Sequence, residues 1–226
     1  MRKLVFMLFC AVSMLSMYAG DVASFVNLGF SADGTRFVFG QFGTTDSDFR
    51  AYADIYCIDV IKNSYIPNGT FSILPSEATA EKEGRGVFAS LQNGAASFMK
   101  TVGVDSSIQG RALYIQMENE PALKSISFRD FETGKKYTVT VHSLSEGSGK
   151  SVRSSFYLTV VITDANGKTV TKTAGLPGFM RNGVKNYLIR RILTDNTGRA
   201  LVFVIEKELY EAKGSSVHYM VETLSF

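Results

Sequence analysis

Two polar segments, residues 43–51 and 207–215, carry the side chains best suited to binding a partner. The segments supply carboxylates, a guanidinium group and a phenol ring, on Asp46, Asp48, Arg50 and Tyr210, and Tyr52 directly follows the first segment with a second phenol ring. Tyrosine and arginine are enriched at the centres of protein interfaces, because each combines a large contact area with hydrogen bonding. We therefore predict a binding surface made of these side chains.

The acidic part of the first segment is a poor match to a metal site. A calcium site needs about six to eight oxygen ligands. This loop offers Asp46, Ser47 and Asp48, with Asp54 further along the chain. The pattern favours a solvated acidic loop over a bound cation, and we predict no metal and no cofactor.

No catalytic motif stands out along the chain. The two histidines, His142 and His218, lie within predicted strands, and no Gly-x-Ser-x-Gly motif occurs. Apolar flanks raise the pKa of a thiol such as Cys57 and make it less reactive. Residues 147–151 (GSGKS) resemble the end of a phosphate-binding loop, but a predicted strand follows where that loop needs a helix. We predict no catalytic residue.

The N-terminus is typical of a secretory signal peptide. Arg2 and Lys3 precede an apolar run at residues 4–17, which is shorter than the roughly 20 residues of a membrane-spanning helix. Small residues follow before the polar chain begins. We predict a signal peptide at residues 1–20, a periplasmic or secreted mature chain, and no transmembrane helix in that mature chain.

The charge balance argues against nucleic acid as a partner. The chain carries 24 Lys and Arg against 21 Asp and Glu, a net charge of +3, but two of the basic residues belong to the predicted signal. The mature chain is then left with about +1, which does not indicate a basic patch. It also keeps a single cysteine, Cys57, so its stability must come from its core rather than from an internal disulfide.

Beyond the signal, the pattern is that of a mainly β protein in a single domain, residues 21–226. Short apolar runs between Gly, Asn and Asp turns predict antiparallel strands, whereas residues 63–69 are predicted as a turn. Consecutive apolar residues at 37–39 predict strands covered on both faces. Apolar residues at three- and four-residue spacing predict one amphipathic helix near residues 85–102. The predicted fold class is antiparallel sheets, as a sandwich or a partial propeller, with one packed helix.

Residues 25–60 and 187–224 share a pattern of strand, turn, strand, loop and strand. An offset of 164 residues aligns them without a gap, matching Gly34 with Gly198, Val38 with Val202 and Phe39 with Phe203. This alignment predicts a blade-like internal repeat. The polar segments 43–51 and 207–215 then occupy equivalent positions, and we predict that they lie on equivalent edges of the fold.

The residues FSADGTRFVF at 30–39 and ADIYCIDV at 53–60 resemble a blade of the propeller in periplasmic TolB-like proteins, where the turn reads Ser-Pro-Asp-Gly. Ala32 stands in place of the proline. The signal, the GFSADGTRFVFGQFG opening and the YADIYCIDV strand also resemble a family of uncharacterised, predicted secreted bacterial proteins of the spirochaete type. That resemblance implies a location outside the cytoplasm and carries over no catalytic residue.

Three hypotheses for function remain open. The first is a non-enzymatic binding module that uses residues 43–51 and 207–215 to contact an envelope protein or polymer. The second is an outer-membrane β-barrel, since Met220 and Leu224 share a strand face before the terminal Phe226, although the helix and the continuous apolar strands disagree with it. The third is a secreted hydrolase, because catalytic partners can be far apart in sequence.

Overall fold

A computed structural model describes residues 21–117, 120–212 and 214–226, which form antiparallel sheets and one α-helix. The elements in chain order are β1 (Ser24–Ser31), β2 (Arg36–Thr44), β3 (Ala51–Asp59), β4 (Ser64–Ile73), a 3-10 helix (Glu77–Thr79), α1 (Gly84–Thr101), β5 (Val104–Asp105), β6 (Arg111–Ile115), β7 (Ser125–Arg129), β8 (Lys136–Glu146), a second 3-10 helix (Gly149–Ser151), β9 (Arg153–Thr163), β10 (Thr169–Gly175), β11 (Arg181–Asn182), β12 (Val184–Thr194), β13 (Ala200–Glu211) and β14 (Gly214–Ser225). The predicted fold class, antiparallel β with one helix near residues 85–102, is confirmed.

The strands form three sheets of linear strand order. The first sheet has the order β4-β3-β2-β1-β5, the central sheet β14-β13-β12-β6, and the third sheet β10-β9-β8-β7, with β11 paired to β9. The helix shares a core with the first sheet, and the central sheet shares one core with each of the other two sheets. The layers are therefore stacked as helix, first sheet, central sheet and third sheet, and β14 is an edge strand of the central sheet.

Strands of the first and central sheets are buried on both faces, which explains their continuous apolar runs. In β2, Phe37 and Phe39 face the central sheet, whereas Val38 faces α1. In β13, Phe203 faces the third sheet and Val202 faces the first. Neighbouring side chains of a strand point to opposite faces, so a strand between two cores needs apolar residues at successive positions. The predicted coverage on both faces is confirmed.

The helix covers the outer face of the first sheet. Its buried side chains recur at three- and four-residue spacing, at Val87, Phe88, Leu91, Ala95 and Met99. Gly40 of β2 allows the close approach, because a Cβ at this position would lie 2.3 Å from Phe88 Cε2. The apolar stripe read from the sequence is thus the face that packs on the sheet.

Three hairpin turns lie together at one end of the stack, and we call residues 31–35, 130–135 and 195–199 the turn cluster. Asn196 Nδ2 donates a hydrogen bond to Ala32 O at 2.9 Å, which joins the first turn to the third. The second turn lines a common cleft with the third. The turn cluster therefore ties the three sheets together at this end.

The two segments related by the 164-residue offset are both three-stranded meanders, β1-β2-β3 and β12-β13-β14. Their first hairpins have the same register next to the turn. In the second hairpins, Phe37 pairs with Ile58, whereas Leu201 pairs with Leu224, two residues beyond the position that the offset requires. The ungapped alignment is therefore wrong for the third strand. The blade-like repeat stays a prediction.

Residues 207–215 are not a loop. Strand β13 runs to Glu211 and β14 begins at Gly214, and the two strands stay paired up to the turn. Lys185 of β12 binds Glu208 of β13 at 2.7 Å, so the polar part of the hairpin is held by a cross-strand ion pair. Polar composition was read as a loop, but the backbone of these residues is paired within the β13–β14 hairpin and, for β13, also with β12.

Two other connections differ from the prediction. The polar loop 43–51 shrinks to residues 45–50, because β2 and β3 both extend into it. Residues 63–69, predicted as a turn, belong mostly to β4. Pro67 is tolerated there because β4 is the edge strand of the first sheet, where a missing N–H need not cost a ladder hydrogen bond.

The predicted signal peptide, residues 1–20, lies outside the described residues. Within the part of the chain that the structure describes, none of the helices has both the length and the apolar character needed to cross a membrane. The signal peptide and the single-domain organisation of residues 21–226 stay predictions.

Candidate functional site

Charged and aromatic side chains from all three sheets meet along the edge strand β14. The group, which we call the β14 seam, consists of Tyr52, Asp54, Tyr56 and Tyr65 from the first sheet, Lys207, His218 and Glu222 from the central sheet, and Arg181 from the third. His218 stacks on Tyr52, and Glu222 lies 3.6 Å from Arg181, so β14 bridges the two outer sheets. Asp21 lies beside the seam, just before β1.

Tyr52, His218 and Asp21 form a buried polar group at the start of β14. The rings of Tyr52 and His218 are 5.2 Å apart and inclined by 20°. Asp21 Oδ2 lies 3.8 Å from His218 Nε2. The Tyr52 hydroxyl and Asp21 Oδ1 are both buried beside Gly43, and within the described residues neither makes a hydrogen bond of regular geometry. Incomplete hydrogen bonding of buried polar atoms calls for an explanation, and a functional site is one.

Burial shifts the pKa of every member of this group. It raises the pKa of Asp21 to about 6, against the nearby Tyr52 hydroxyl, which lowers it. Burial also raises the pKa of Tyr52, and the charge of Asp21 adds to that rise. Burial lowers the pKa of His218, and the charge of Lys207 lowers it further. Groups perturbed by burial together with a specific neighbour are candidates for a functional site.

The two segments predicted to bind a partner both approach Asp21. The charges of Asp46, in the 45–50 loop, and of Glu211, at the end of β13, each contribute to the raised pKa of Asp21. Salt screens the interaction between exposed charges, so a charge that acts on the pKa of Asp21 must lie close to it. The loop and the β13–β14 turn therefore lie at the same end of the molecule.

Asp48 and Arg50 neutralise each other inside the loop. Arg50 Nε lies 3.1 Å from Asp48 Oδ2, and Arg50 also forms an ion pair with Glu77. Thr45 Oγ1 donates a hydrogen bond to Asp48 Oδ1 at 2.5 Å. These two predicted binding residues hold the loop in place, and they are less available to a partner than the sequence suggests.

Tyr210 lies against the third sheet. Its backbone N–H donates to Gly183 O at 2.7 Å, and its ring lies next to Gly149. Of the five predicted binding residues, Tyr52 belongs to the seam and Asp46 acts on Asp21 through its charge. Asp48 and Arg50 lie in the same loop as Asp46, and Tyr210 precedes Glu211 at the end of β13. A single binding surface made of the five residues stays a prediction.

Lys207 lies in a lateral row across the central sheet. It pairs directly with Tyr187 of β12 on one side and with His218 of β14 on the other. Its side chain is partly exposed and makes no hydrogen bond or ion pair with any described residue. Burial lowers the pKa of Lys207, and the charge of Arg181 lowers it further. An ammonium group without a dedicated carboxylate is unusual in a site that is partly withdrawn from water.

Arg181 forms the third-sheet wall of the seam. Its guanidinium lies over the rings of Phe156 and Phe179, 5.2 Å and 4.9 Å from their centroids. Its Nη2 lies 3.6 Å from Glu222 Oε1, and Asn63 Nδ2 donates to Glu222 Oε2 at 2.5 Å. Burial raises the pKa of Glu222, against these two partners. The Arg181–Glu222 pair thus sits in an aromatic setting with limited water.

Aromatic and apolar side chains form the rim of the seam. Tyr65 is 51% exposed and its ring lies 5.6 Å from that of Tyr56. On the third-sheet side, Leu176 and Phe179 are also exposed. The charges of Glu222 and Arg181 both act on the pKa of Tyr65, and Arg181 also lies over the Phe179 ring. Tyr65 and Phe179 are therefore both close to the Arg181–Glu222 ion pair.

The histidines, the potential metal ligands and Cys57 are the described groups that bear on catalysis or metal binding. Among the described residues neither His142 nor His218 hydrogen-bonds a serine, and His142 bonds Thr159 Oγ1 at 3.0 Å. The described part of the chain holds no group of three or more His, Cys, Asp and Glu side chains placed to bind a metal. Burial raises the pKa of Cys57 to about 11, which keeps its thiol protonated at neutral pH.

Sequence reasoning missed most of the seam, although one signal was present. On the face of β14 that joins the third-sheet core, Met220 and Leu224 alternate with His218 and Glu222. Charged residues at core-facing positions of a strand need a reason. Nothing along the chain indicated that Arg181 or Tyr65 would meet them.

No curated protein and no solved structure matches the chain. A family model described as "Predicted secreted protein (DUF2259)" matches residues 38–225. The matched region contains every member of the β14 seam and most of the three sheets. The resemblance to a TolB-like blade and the spirochaete type stay predictions. The chain belongs to this family of predicted secreted proteins.

Proposed function

We propose that the protein is an exported binding module that holds a protein partner of the cell envelope at the β14 seam. Residues 1–20 direct its export in this proposal, and the mature chain acts in the periplasm or outside the cell. The family description as a predicted secreted protein supports the location.

The observation that carries the proposal is the convergence of incompletely satisfied charges and exposed rings on strands of three sheets. Among the described residues, Lys207 has no ion-pair partner and the buried Tyr52 hydroxyl, which lies near Asp21, has no hydrogen bond of regular geometry. Recognition sites are usually placed on a rigid scaffold, and binding energy is concentrated in a few aromatic and arginine side chains. Tyr65, Phe179 and Arg181 are of these types.

The residue types favour a protein over a polymer of other chemistry. Leu176 and Phe179 offer apolar surface on one side, and Tyr65 offers an amphipathic ring on the other. Arg181 and Glu222 between them can exchange hydrogen bonds with polar groups. This combination of apolar anchors around a charged centre is the usual composition of a protein interface.

Site-specific photo-crosslinking in the native envelope tests the proposal. A photo-crosslinking phenylalanine analogue is placed singly at Tyr65, at Phe179 and, as a control, at Phe131 in the turn cluster, which is 87% exposed. We expect a discrete crosslinked protein from the first two positions and not from the third. A product that resists protease would identify a polymer instead.

Alanine variants then measure the contribution of the rim. We expect Tyr65→Ala and Phe179→Ala to weaken binding of the crosslinked partner at least tenfold, which corresponds to about 1.4 kcal/mol. Phe131→Ala should bind as the wild type does. Equal crosslinking from all three positions, or none from Tyr65, would rule out the seam as the recognition surface.

A further inference from the structure

We infer that the β14 seam contains an anion-binding site at Lys207, with Arg181 beside it, which takes a carboxylate or phosphate group carried by the bound partner segment. The inference rests on the proposed function and names the chemistry that the partner must present. Nothing in the family description assigns such a site.

The position of Lys207 in β13 is the first observation. The preceding residues on the same strand face, Leu201, Phe203 and Ile205, are buried in the core shared with the third sheet. Lys207 follows them at the two-residue period and is partly exposed, whereas Leu209, the next residue on this face, packs against the same core. Lys207 is therefore a charged residue in an otherwise apolar row, whose aliphatic stem can cover apolar surface.

The contrast with its neighbours in β13 is the second observation. Glu206 forms an ion pair with Arg190, and Glu208 forms one with Lys185. Lys207 lies between them without an ion pair to any described residue. Pairing is thus complete on the opposite strand face and open on the seam face.

The nearby carboxylates are already engaged, which is the third observation. Asp54 accepts hydrogen bonds from Ser72 Oγ at 2.7 Å and from Gln41 Nε2 at 3.1 Å. Glu222 is held by Asn63 and lies against Arg181. Neither carboxylate is placed as a dedicated partner for Lys207.

Lys207 has cationic or titratable neighbours on both of its paired strands. It pairs with His218 of β14 and with Tyr187 of β12, and the Arg181 guanidinium lies over the Tyr187 ring, 5.9 Å from its centroid. The charge of Arg181 lowers the pKa of Lys207, against the charge of Asp54, which raises it. Like charges crowded in a partly buried site favour binding of an anion, because the anion relieves their repulsion. Lys207 supplies the point charge for a carboxylate or a phosphate, and Arg181, which is held against Glu222, adds positive charge beside it.

Nuclear magnetic resonance of the lysine side chains tests the site directly. The purified protein is titrated with sodium acetate and, separately, with inorganic phosphate, against sodium chloride at the same ionic strength. We expect a saturable shift of the Lys207 Nζ resonance with at least one of the two anions. Lys185, which is paired with Glu208 on the same hairpin, is the internal control and should not shift. Saturation with acetate alone identifies a carboxylate site, and tighter binding of phosphate identifies a phosphate site.

Charge variants provide the second arm. We expect Lys207→Met to weaken anion binding at least tenfold, in line with the loss of a charged hydrogen bond, and Lys207→Arg to restore most of it. Lys185→Met should bind the anions as the wild type does. The thermal midpoint of each variant shows that it is folded.

Failure of this inference can be told apart from failure of the proposed function. If neither anion shifts Lys207 more than Lys185, and Lys207→Met crosslinks its partner through position 65 as the wild type does, the anion site is wrong and the binding module stands. If the anions bind at Lys207 but position 65 yields no crosslinked partner, the proposed function fails and the anion site stands.

Discussion

In the turn cluster, the carboxylates of Asp33 and Asp130 accept several hydrogen bonds each, whereas at the β14 seam Asp21 and Glu222 are withdrawn from water with fewer donors. The Ser31 hydroxyl, followed by Thr35, holds the pKa of Asp33 at about 2. The pKa of Asp21 is raised to about 6 by burial. An aspartate is thus stabilised in its charged form by hydrogen bonds in the turn cluster, whereas burial disfavours the charged form of the aspartate beside the seam.

Asp130 shows how the turn cluster satisfies a buried charge. It accepts two hydrogen bonds from Arg111 of β6, at 2.7 Å and 3.1 Å, and further ones from Glu132 N and Thr133 Oγ1. The Arg111 guanidinium holds the pKa of Asp130 well below its usual range. This end of the fold is therefore built for stability.

The difference between the two ends suggests where selection for function has acted. Elsewhere among the described residues a buried oxygen lacks a regular hydrogen bond and Lys207 lacks an ion pair, and the proposed function would explain both. Proteins tolerate such local conflicts mainly at functional sites, where a ligand supplies the missing partner. The comparison is open to direct tests by mutation.

The largest effect should come from the buried pair in the turn cluster. We expect Asp130→Ala to lower the free energy of unfolding by about 3 kcal/mol, because the buried carboxylate accepts hydrogen bonds from Arg111, Glu132 N and Thr133 Oγ1, which would all be lost although Arg111 keeps its ion pair with Glu132. Asp164, which caps the β9–β10 turn through backbone N–H groups of Asn166 and Lys168, is the matched control. Asp164→Ala should cost about 1 kcal/mol. Urea denaturation of both variants measures the difference, and equal losses would show that the ion pair adds nothing.

The packing of the turns against each other should have the next largest effect. Gly34 has a φ of +73°, and a Cβ there would lie 2.4 Å from Asp195 Oδ2. Gly167 has a similar φ of +84° with no atom within 4 Å of the added Cβ. We expect Gly167→Ala to cost about 1 kcal/mol, from backbone strain alone, and Gly34→Ala about 2–3 kcal/mol. Thermal unfolding measures both, and equal costs would contradict the close turn contact.

Removing the buried charge of Asp21, beside the seam, should raise the free energy of unfolding, whereas the substitutions in the turn cluster lower it. We expect Asp21→Asn to stabilise the protein at pH 7 by on the order of 2 kcal/mol, because a folded pKa of about 6 against 3.8 unfolded makes ionisation costly in the native state.

The pH dependence gives the sign of this effect. Between about pH 4 and 6 the folded state binds the Asp21 proton more tightly, so the stability of the wild type falls as the pH rises through this window. The advantage of Asp21→Asn should therefore vanish below about pH 4 and be complete above about pH 6. Urea denaturation at pH 4 and pH 7 measures it, and a variant that is less stable than the wild type at pH 7 would contradict a strained Asp21.

The smallest effect should come from the unpaired lysine. We expect Lys207→Met to leave the stability unchanged or to raise it by up to about 1 kcal/mol, since the charge has no partner to lose. Lys185→Met, which breaks a surface ion pair, should cost at most about 0.5 kcal/mol. A clear loss of stability in Lys207→Met alone, measured by urea denaturation, would mean that Lys207 has a structural role.

Much of the fold could be predicted from the sequence because the signals are local. Continuous apolar residues at 37–39 indicated strands covered on both faces, and three- and four-residue spacing located the helix within one residue at each end. The errors arose where partners are distant. The polar residues 207–215 form paired strands because β13 also pairs with β12, which is distant in the sequence. Pro67 lies in a strand because that strand is at a sheet edge.

The sequence by itself determined the class of the protein: a β-rich chain with one packed helix and an N-terminal segment typical of export. It also led us to predict a binding surface that includes Tyr52 and the polar loop at residues 45–50. Only the tertiary structure brought Tyr65, Arg181 and Glu222 together, because their strands belong to three different sheets. Strand periodicity fixes which face a side chain occupies, but the stacking order of the sheets decides what that face meets. The charge state of the seam depends on that stacking, since burial and neighbouring charges, rather than residue type, set each pKa.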